Sequence, residues 1–361
     1  MLFQAPALQA PARDLRRRRV RVATILTAVI SALGVAAAPA LAGSTAHAAH
    51  ALPTHLPDTD DEGGTPELRK QLEAASKGYL DAKAALDKSL KRQRELADHL
   101  AEVEAELAAH QRAAGEIAVH AYRTGRLGAV SALIASGSPA DFRDRAVALE
   151  AVAAGQNKTL RALSEIRERH VQAKAAIDQE VREQRKQLAV MAKRKQEAER
   201  ALAAAGGGQS SGGVRASGTA VAKPAPRNPD GTWPPESCSV DDPTTSGCIT
   251  PRTLHALNQA KAAGFTRYVS CYRNGSSGEH PKGRACDFAA QKNGFGGVAT
   301  GGDKTYGDNL AAFFVRNADR LAVLYVIWYK QIWLPSSGWK AYRGGGDPSS
   351  DHTNHVHLSV Y

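Results

Sequence analysis

A chain of 361 residues with 47 Lys and Arg against 36 Asp and Glu has a formal charge of +11 and room for two domains. Residues 1–21 hold six arginines and one aspartate, so the rest of the chain is only mildly basic, which suits loose attraction to an anionic wall or membrane surface. No stretch interleaves basic and aromatic side chains, and that excludes a nucleic-acid reading.

Residues 13–21 form a basic stretch, and 22–41 form an apolar run that ends in Ala40-Leu41-Ala42, with Ala46-His47-Ala48 close behind. This pattern predicts a signal peptide over 1–48, cut after Ala42 or Ala48. The run is also about as long as a bilayer span, so an uncleaved anchor is the alternative and the one route to membrane contact. In both cases the chain faces outward, secreted or held at the cell envelope. A polar linker over 49–65 follows, with Gly63-Gly64 at its end.

Thr65 is a helix cap, Pro66 fits the first turn and Glu67 lies near the positive end of the dipole. Leu68, Leu72, Ala75, Tyr79, Ala82 and Leu86 recur at threes and fours, as do Leu96, Leu100, Val103 and Leu107. A second seam runs through Leu149, Val152, Leu163, Ile166, Ala173, Val181, Leu188 and Leu202. Breaks at 123–128 and 136–139 separate them, so 66–205 is predicted to be an antiparallel coiled-coil hairpin. Its Ala-Tyr-Arg-Thr-Gly segment at 121–125 and Ser-Pro-Ala-Asp-Phe-Arg-Asp-Arg at 138–145 resemble coiled-coil regions of bacterial cell-wall hydrolases and their activators. That resemblance implies an envelope or division partner. His99, His110, His120 and His170, spread at helical positions, read as surface or seam residues. Residues 206–230, rich in Gly, Ser, Ala and Pro, read as a flexible tether.

The remaining domain, 231–361, contains all four cysteines. In an exported chain two disulfides are expected; of three pairings, Cys238 with Cys248 and Cys271 with Cys286 is favoured. Cysteine ligation of a metal is set aside, since no Cys-x-x-Cys occurs. Thr250 caps a helix with Pro251 in its first turn, which Gly264 stops, and 268–271 reads as a strand. Residues 294–307 are taken as a glycine-rich rim loop, with a helix capped by Asp308 and running to about Arg320. A buried strand over 321–328 comes next. Trp333, Trp339 and Tyr342 either pack in the core or line a groove.

The chemistry concentrates at GEHPKGRACDF around His280 and Asp287, and at DHTNHVH over 351–357. Two imidazoles and a carboxylate form the ligand set of a catalytic zinc, which keeps a fourth position open. Gly283 lets the chain turn His280 back over Asp287, and 285–289 reads as a strand. A strand over 355–360 puts His355, His357 and Ser359 on one face and Val356, Leu358 and Val360 in the core. One histidine can then bind metal while the other, roughly 7 Å along the strand, reaches the bound water. Glu279 is expected to be exposed; Asp351 and His352 are partners of the site or simple loop residues.

His280, Gly283, Ala285 and Asp287 match the His-x-x-Gly-x-Ala-x-Asp core of D-alanyl-D-alanine carboxypeptidases. The domain thus resembles the zinc peptidase superfamily of lysostaphin-type, D-alanyl-D-alanine carboxypeptidase and Hedgehog proteins. The resemblance implies that His280, Asp287 and His357 ligate Zn2+, that His355 assists the water, and that Arg273, in Cys271-Tyr272-Arg273, contacts substrate. Gly278 stands where that branch has serine, and His355-x-His357 replaces its Glu-x-x-His, closer to the lysostaphin-type ending. The wording of both motifs is most similar to an extracellular domain family of actinobacteria and fungi.

The expected fold is therefore an α+β, zinc-peptidase-like C-terminal domain with a small antiparallel sheet, preceded by a long all-α hairpin. The expected function is an exported zinc peptidase acting on peptidoglycan peptides. The alternatives are a non-catalytic wall- or ligand-binding module on the same fold and a coiled-coil activator of a partner hydrolase.

Overall fold

A computed structural model describes residues 63–125, 128–214 and 218–361. The signal peptide expected over 1–48 and nearly all of the 49–65 linker lie outside these residues.

Helix α1 (Pro66–Thr124) starts where Thr65 Oγ1 accepts the Leu68 N–H at 3.1 Å, and it ends at Gly125, whose φ of 63° stops it. A short helix α2 (Gly128–Ile134) leads to α3 (Pro139–Ala204), capped by Ser138 on the Asp141 N–H. The long helices pair antiparallel through Val103, Leu163 and Ile166, and polar pairs such as Gln93–Gln184 continue the seam. Packing loosens toward the far end, where Tyr122 is 90% and Ile134 is 78% exposed.

The C-terminal part contains a two-stranded ribbon, β1 (Val240–Asp241) with β2 (Cys248–Ile249), and helix α4 (Pro251–Ala262). Beyond them lie β3 (Val269–Ser270), β4 (Ala285–Ala289), α5 (Gly301–Arg316), α6 (Ala318–Leu321), β5 (Val323–Trp328), β6 (Gln331–Leu334), β7 (Gly338–Ala341) and β8 (His355–Val360). The six-stranded antiparallel sheet has the order β3-β4-β8-β5-β6-β7. Val356, Leu358 and Val360 join Leu257, Leu310 and Phe314 in the main core, as the alternation predicted. Tyr325, Ile327, Ile332 and Leu334 belong to a second core, closed by Leu68, Leu72, Ala75, Ala198 and Leu202 of the hairpin stem. The sheet is thus buried on both faces, and this is why β5 and β8 have no exposed residue.

Three expectations need correction. The helix predicted to start at Asp308 starts at Gly301: Gly307 belongs to its interior because a Cβ there would lie 2.3 Å from the Trp328 ring, while Asp308 accepts the Trp328 Nε1–H at 2.8 Å. Glycine here permits close helix-to-sheet approach and does not mark a loop. The strand expected from Leu321 begins at Val323, after α6 and a left-handed Ala322 with φ 54°. Finally, 206–230 does not behave as a free tether. Gly208 N–H bonds to the Ala341 carbonyl and Ala341 N–H to the Gln209 carbonyl, both at 2.9 Å, covering the β7 edge. Further on, Ala222 N–H bonds to Asn317 Oδ1 and Ala225 N–H to the Arg320 carbonyl, and both alanines are 3% exposed. Among the described residues of the segment, 206–214 and 218–230, these backbone groups find partners on the domain the chain crosses.

Candidate metal centre

Strands β4 and β8 bring the site together because Asp287 and His357 are register partners in adjacent antiparallel strands. His357 Nδ1 lies 2.9 Å from Asp287 Oδ1. His280 arrives from the turn before β4, where Gly283 N–H bonds to the His280 carbonyl at 2.9 Å and Gly283 has a φ of 68°. A Cβ on Gly283 would lie 2.6 Å from Cys238 Sγ and 2.8 Å from the Ile249 Cα, so space and backbone conformation both require glycine. The turn places His280 Nε2 3.1 Å from Asp287 Oδ2 and 3.3 Å from His357 Nδ1.

This triangle can be compared with what a metal needs. Two nitrogen or oxygen atoms at zinc-bond length from a tetrahedral ion are about 3.3 Å apart; His280 Nε2 and His357 Nδ1 are 3.3 Å apart, and the two Asp287 oxygens divide between them, Oδ2 3.1 Å from the first and Oδ1 2.9 Å from the second. His280 Nδ1 donates to the Cys271 carbonyl, which leaves the Nε2 lone pair facing the triangle. His357 Nε2 lies 2.8 Å from Ser359 Oγ, so a proton on Nε2 leaves Nδ1 as the inward donor. Ligand donors held by partners behind them are the ordinary arrangement of a metal site, and two imidazoles with a carboxylate are a donor set that such a site can use. Among the described residues, His280, Asp287 and His357 form the group able to hold a metal ion.

The remaining residues shape the surroundings. His355 Nδ1 is bonded to Asn354 Oδ1 at 2.7 Å, which fixes the tautomer and leaves Nε2 as an acceptor 3.4 Å from Asp287 Oδ1. Burial lowers its pKa to about 4 in spite of Asp287, so the ring is neutral. For Asp287, burial acts to raise the pKa, but the facing histidines outweigh it and hold the carboxylate well below its ordinary value. Arg273 Nη1 pairs with Asp287 Oδ2 at 3.3 Å, so the residue expected to touch substrate stands here behind a ligand. Cys271 is bridged to Cys286 and Cys238 to Cys248. The first of these bridges ties the acceptor of His280 to the neighbour of Asp287.

The sequence leaves His352 open between a partner of the site and a loop residue, and it gives no signal for Tyr325 or Phe295. His352 is fully buried with φ 52°, donates from Nδ1 to the Ser350 carbonyl at 3.1 Å, and packs its ring 4.8 Å from that of His355. Its pKa falls well below the ordinary value, first through burial and then through the neighbouring histidines. Tyr325 stacks on His357 at 5.6 Å, and Phe295 meets His355 edge-on at 5.4 Å. Glu279, expected at the surface, is 1% exposed and lies between Arg284 at 2.6 Å and Lys282 at 3.1 Å, both of which also pair with Glu73 of α1. Burial and the charge of Glu73 push the Glu279 pKa up to about 7 against the pull of Arg284.

The hairpin stem roofs the site. Tyr342, packed against His352, donates to the Gly63 carbonyl at 2.8 Å, and Arg69 Nη2 reaches Ser277 Oγ at 2.7 Å. His280, Asp287, His355 and His357 are each at most 3% exposed.

Among the described residues no helix is long and apolar enough to cross a membrane. No curated protein and no solved structure is similar enough to the chain to count as a match. Residues 245–353 match the family model described as VldE, C-terminal domain, a span that includes Arg273, His280 and Asp287 and stops two residues before His355.

Proposed function

We propose that the C-terminal domain is a zinc-dependent peptidase acting outside the cell on peptidoglycan peptides. The observation that carries the reading is the buried group of His280, Asp287 and His357, whose inward imidazole nitrogens are 3.3 Å apart with an Asp287 oxygen beside each. Bound Zn2+ would supply a water ionised near neutral pH and a polarised amide carbonyl. His355, whose Nδ1 is engaged by Asn354 so that Nε2 is its acceptor, would take the proton from the attacking water and return it to the leaving amine. Arg273, 27% exposed at its side chain, has the length to turn from Asp287 to an anionic oxygen of the substrate. The exported address is supported by two disulfides, which persist in oxidising compartments. The substrate class rests on the resemblance of the motifs and of the hairpin to wall-hydrolase sequences.

The test is elemental analysis of the oxidised full-length chain, together with product analysis after incubation with peptidoglycan peptides. One zinc per chain and new peptide termini support the reading; a folded chain that takes up no zinc overturns it.

One observation favours a second reading, in which the domain binds without cutting: the four site residues are closed over by the hairpin stem. One zinc per chain with wall peptides bound and never cleaved would establish that reading.

A further inference from the structure

Beside the buried site the surface changes character. Tyr268 is 50%, Phe295 42% and Val298 50% exposed, and the Tyr268 and Phe295 rings meet edge to face at 5.2 Å. Phe295 is the link inward, since its ring also packs on His355 at 5.4 Å. Next to it opens a cleft of about 340 Å³ lined by Gln291, Lys292, Asn293, Phe295 and Asp303. The loop that carries Phe295 is built to hold its shape. A Cβ on Gly296 would lie 1.7 Å from Gln291 Oε1, Gln291 Nε2 donates to the Gly297 carbonyl at 3.3 Å, and Gly294 has a φ of 110°.

The same loop is wired to the proposed base. Asn354 Nδ2 donates to the Gly296 carbonyl at 2.9 Å, while Asn354 Oδ1 accepts from His355 Nδ1 at 2.7 Å. One amide therefore fixes both the loop and the histidine.

We infer that the Phe295–Tyr268 ledge and its cleft form a recognition site for a saccharide ring carried by the substrate, next to the bond that His355 serves. A pyranose has an apolar C–H face and a polar rim. The ledge offers two exposed aromatic rings, and the cleft beside them offers the amide of Asn293 and the ammonium of Lys292 to hydroxyl and acetamide groups. An apolar side chain would require a deeper, drier pocket than this shallow polar cleft. A peptide alone would leave the aromatic faces uncovered. The assignment rests on the peptidase reading for its biological meaning, but its test requires no turnover.

The test is calorimetric titration of the oxidised full-length chain with three probes: a β-1,4-linked disaccharide of N-acetylated amino sugars, the same disaccharide bearing a wall peptide, and the bare peptide. The disaccharide is expected to bind the native chain. Phe295→Ala should weaken both sugar-bearing probes by about tenfold and leave the bare peptide unchanged. Tyr268→Ala should act in the same direction, and melting curves should show both variants folded, since both side chains are exposed. No disaccharide binding to the native chain, or an equal loss for all three probes in Phe295→Ala, overturns the inference. Disaccharide binding without any peptide cleavage would leave the saccharide site standing while the hydrolase reading fell.

Discussion

Glu73 of α1 and Lys282 of the ligand-bearing turn meet at 2.6 Å although 209 residues separate them. Arg284 shares the same carboxylate, so the hairpin stem is held by charge to the segment between His280 and Asp287. Glu73→Lys puts a third cation among two, and unfolding free energy should fall by about 1–3 kcal/mol, the lower part of the range because Glu73 keeps some exposure. With the stem loosened, a chelator should strip metal faster from this variant than from the native chain. Lys282→Glu in the same molecule should restore part of both losses. Unchanged stripping rates would mean that the stem does not guard the site.

The site residues divide into holders and actors. His357→Ala should abolish metal uptake, whereas His355→Ala should keep the metal and lower the rate on a wall peptide by about 10²–10⁴-fold. Elemental analysis and peptide product assays on the same samples separate the two. Asn354→Ala should keep the metal and slow the reaction less than His355→Ala does, because it frees the His355 ring without removing it.

Gly283→Ala asks for a left-handed backbone and a Cβ 2.6 Å from a disulfide sulfur. The strain costs about 1–2 kcal/mol before the clash is counted. Metal occupancy should fall together with stability, since this turn is what places His280. A fully occupied, equally stable variant would show that the turn is not needed in this form.

Glu279 gives a pH dependence whose sign can be worked out. Its pKa is pushed up to about 7 in the fold, from an ordinary 4.5, so the folded chain holds a proton that the unfolded chain has lost. Its contribution to stability is therefore full below pH 4.5 and declines as the pH rises toward 7. Glu279→Gln should flatten that decline, seen as a smaller drop in denaturation midpoint between pH 5 and pH 8. The same drop in both proteins would assign the pH dependence to other groups.

Alternation of apolar and polar residues was enough to place β8, and the paired histidines fell on one face because strand geometry allows nothing else. What periodicity cannot encode is register between strands 70 residues apart, and it is register that sets Asp287 opposite His357. Gly301, Gly302 and Gly307 look like loop residues in one dimension; only the Trp328 ring, brought from β5, explains why a helix needs a bare Cα. The burial of Glu279 was illegible for the same reason, since the cover comes from Glu73 and its helix. Likewise 206–230 has the composition of a tether, and the partners of its described residues, the β7 edge and the Asn317–Arg320 segment, are invisible in one dimension.

The docked stem also sets a length. Contacts between α1 and the sheet domain or its flanking strap extend to Lys83–Asp319 and Lys88–Asp230, while α1 continues to Thr124. At 1.5 Å per residue, roughly 50 Å of paired helix stands beyond the last of these contacts. The exposed Tyr122 and Ile134 sit at the end of that span. The tip side chains therefore lie about that far along the hairpin from its last contact with the sheet domain, and shortening both helices by matched turns would reduce that distance by a known step.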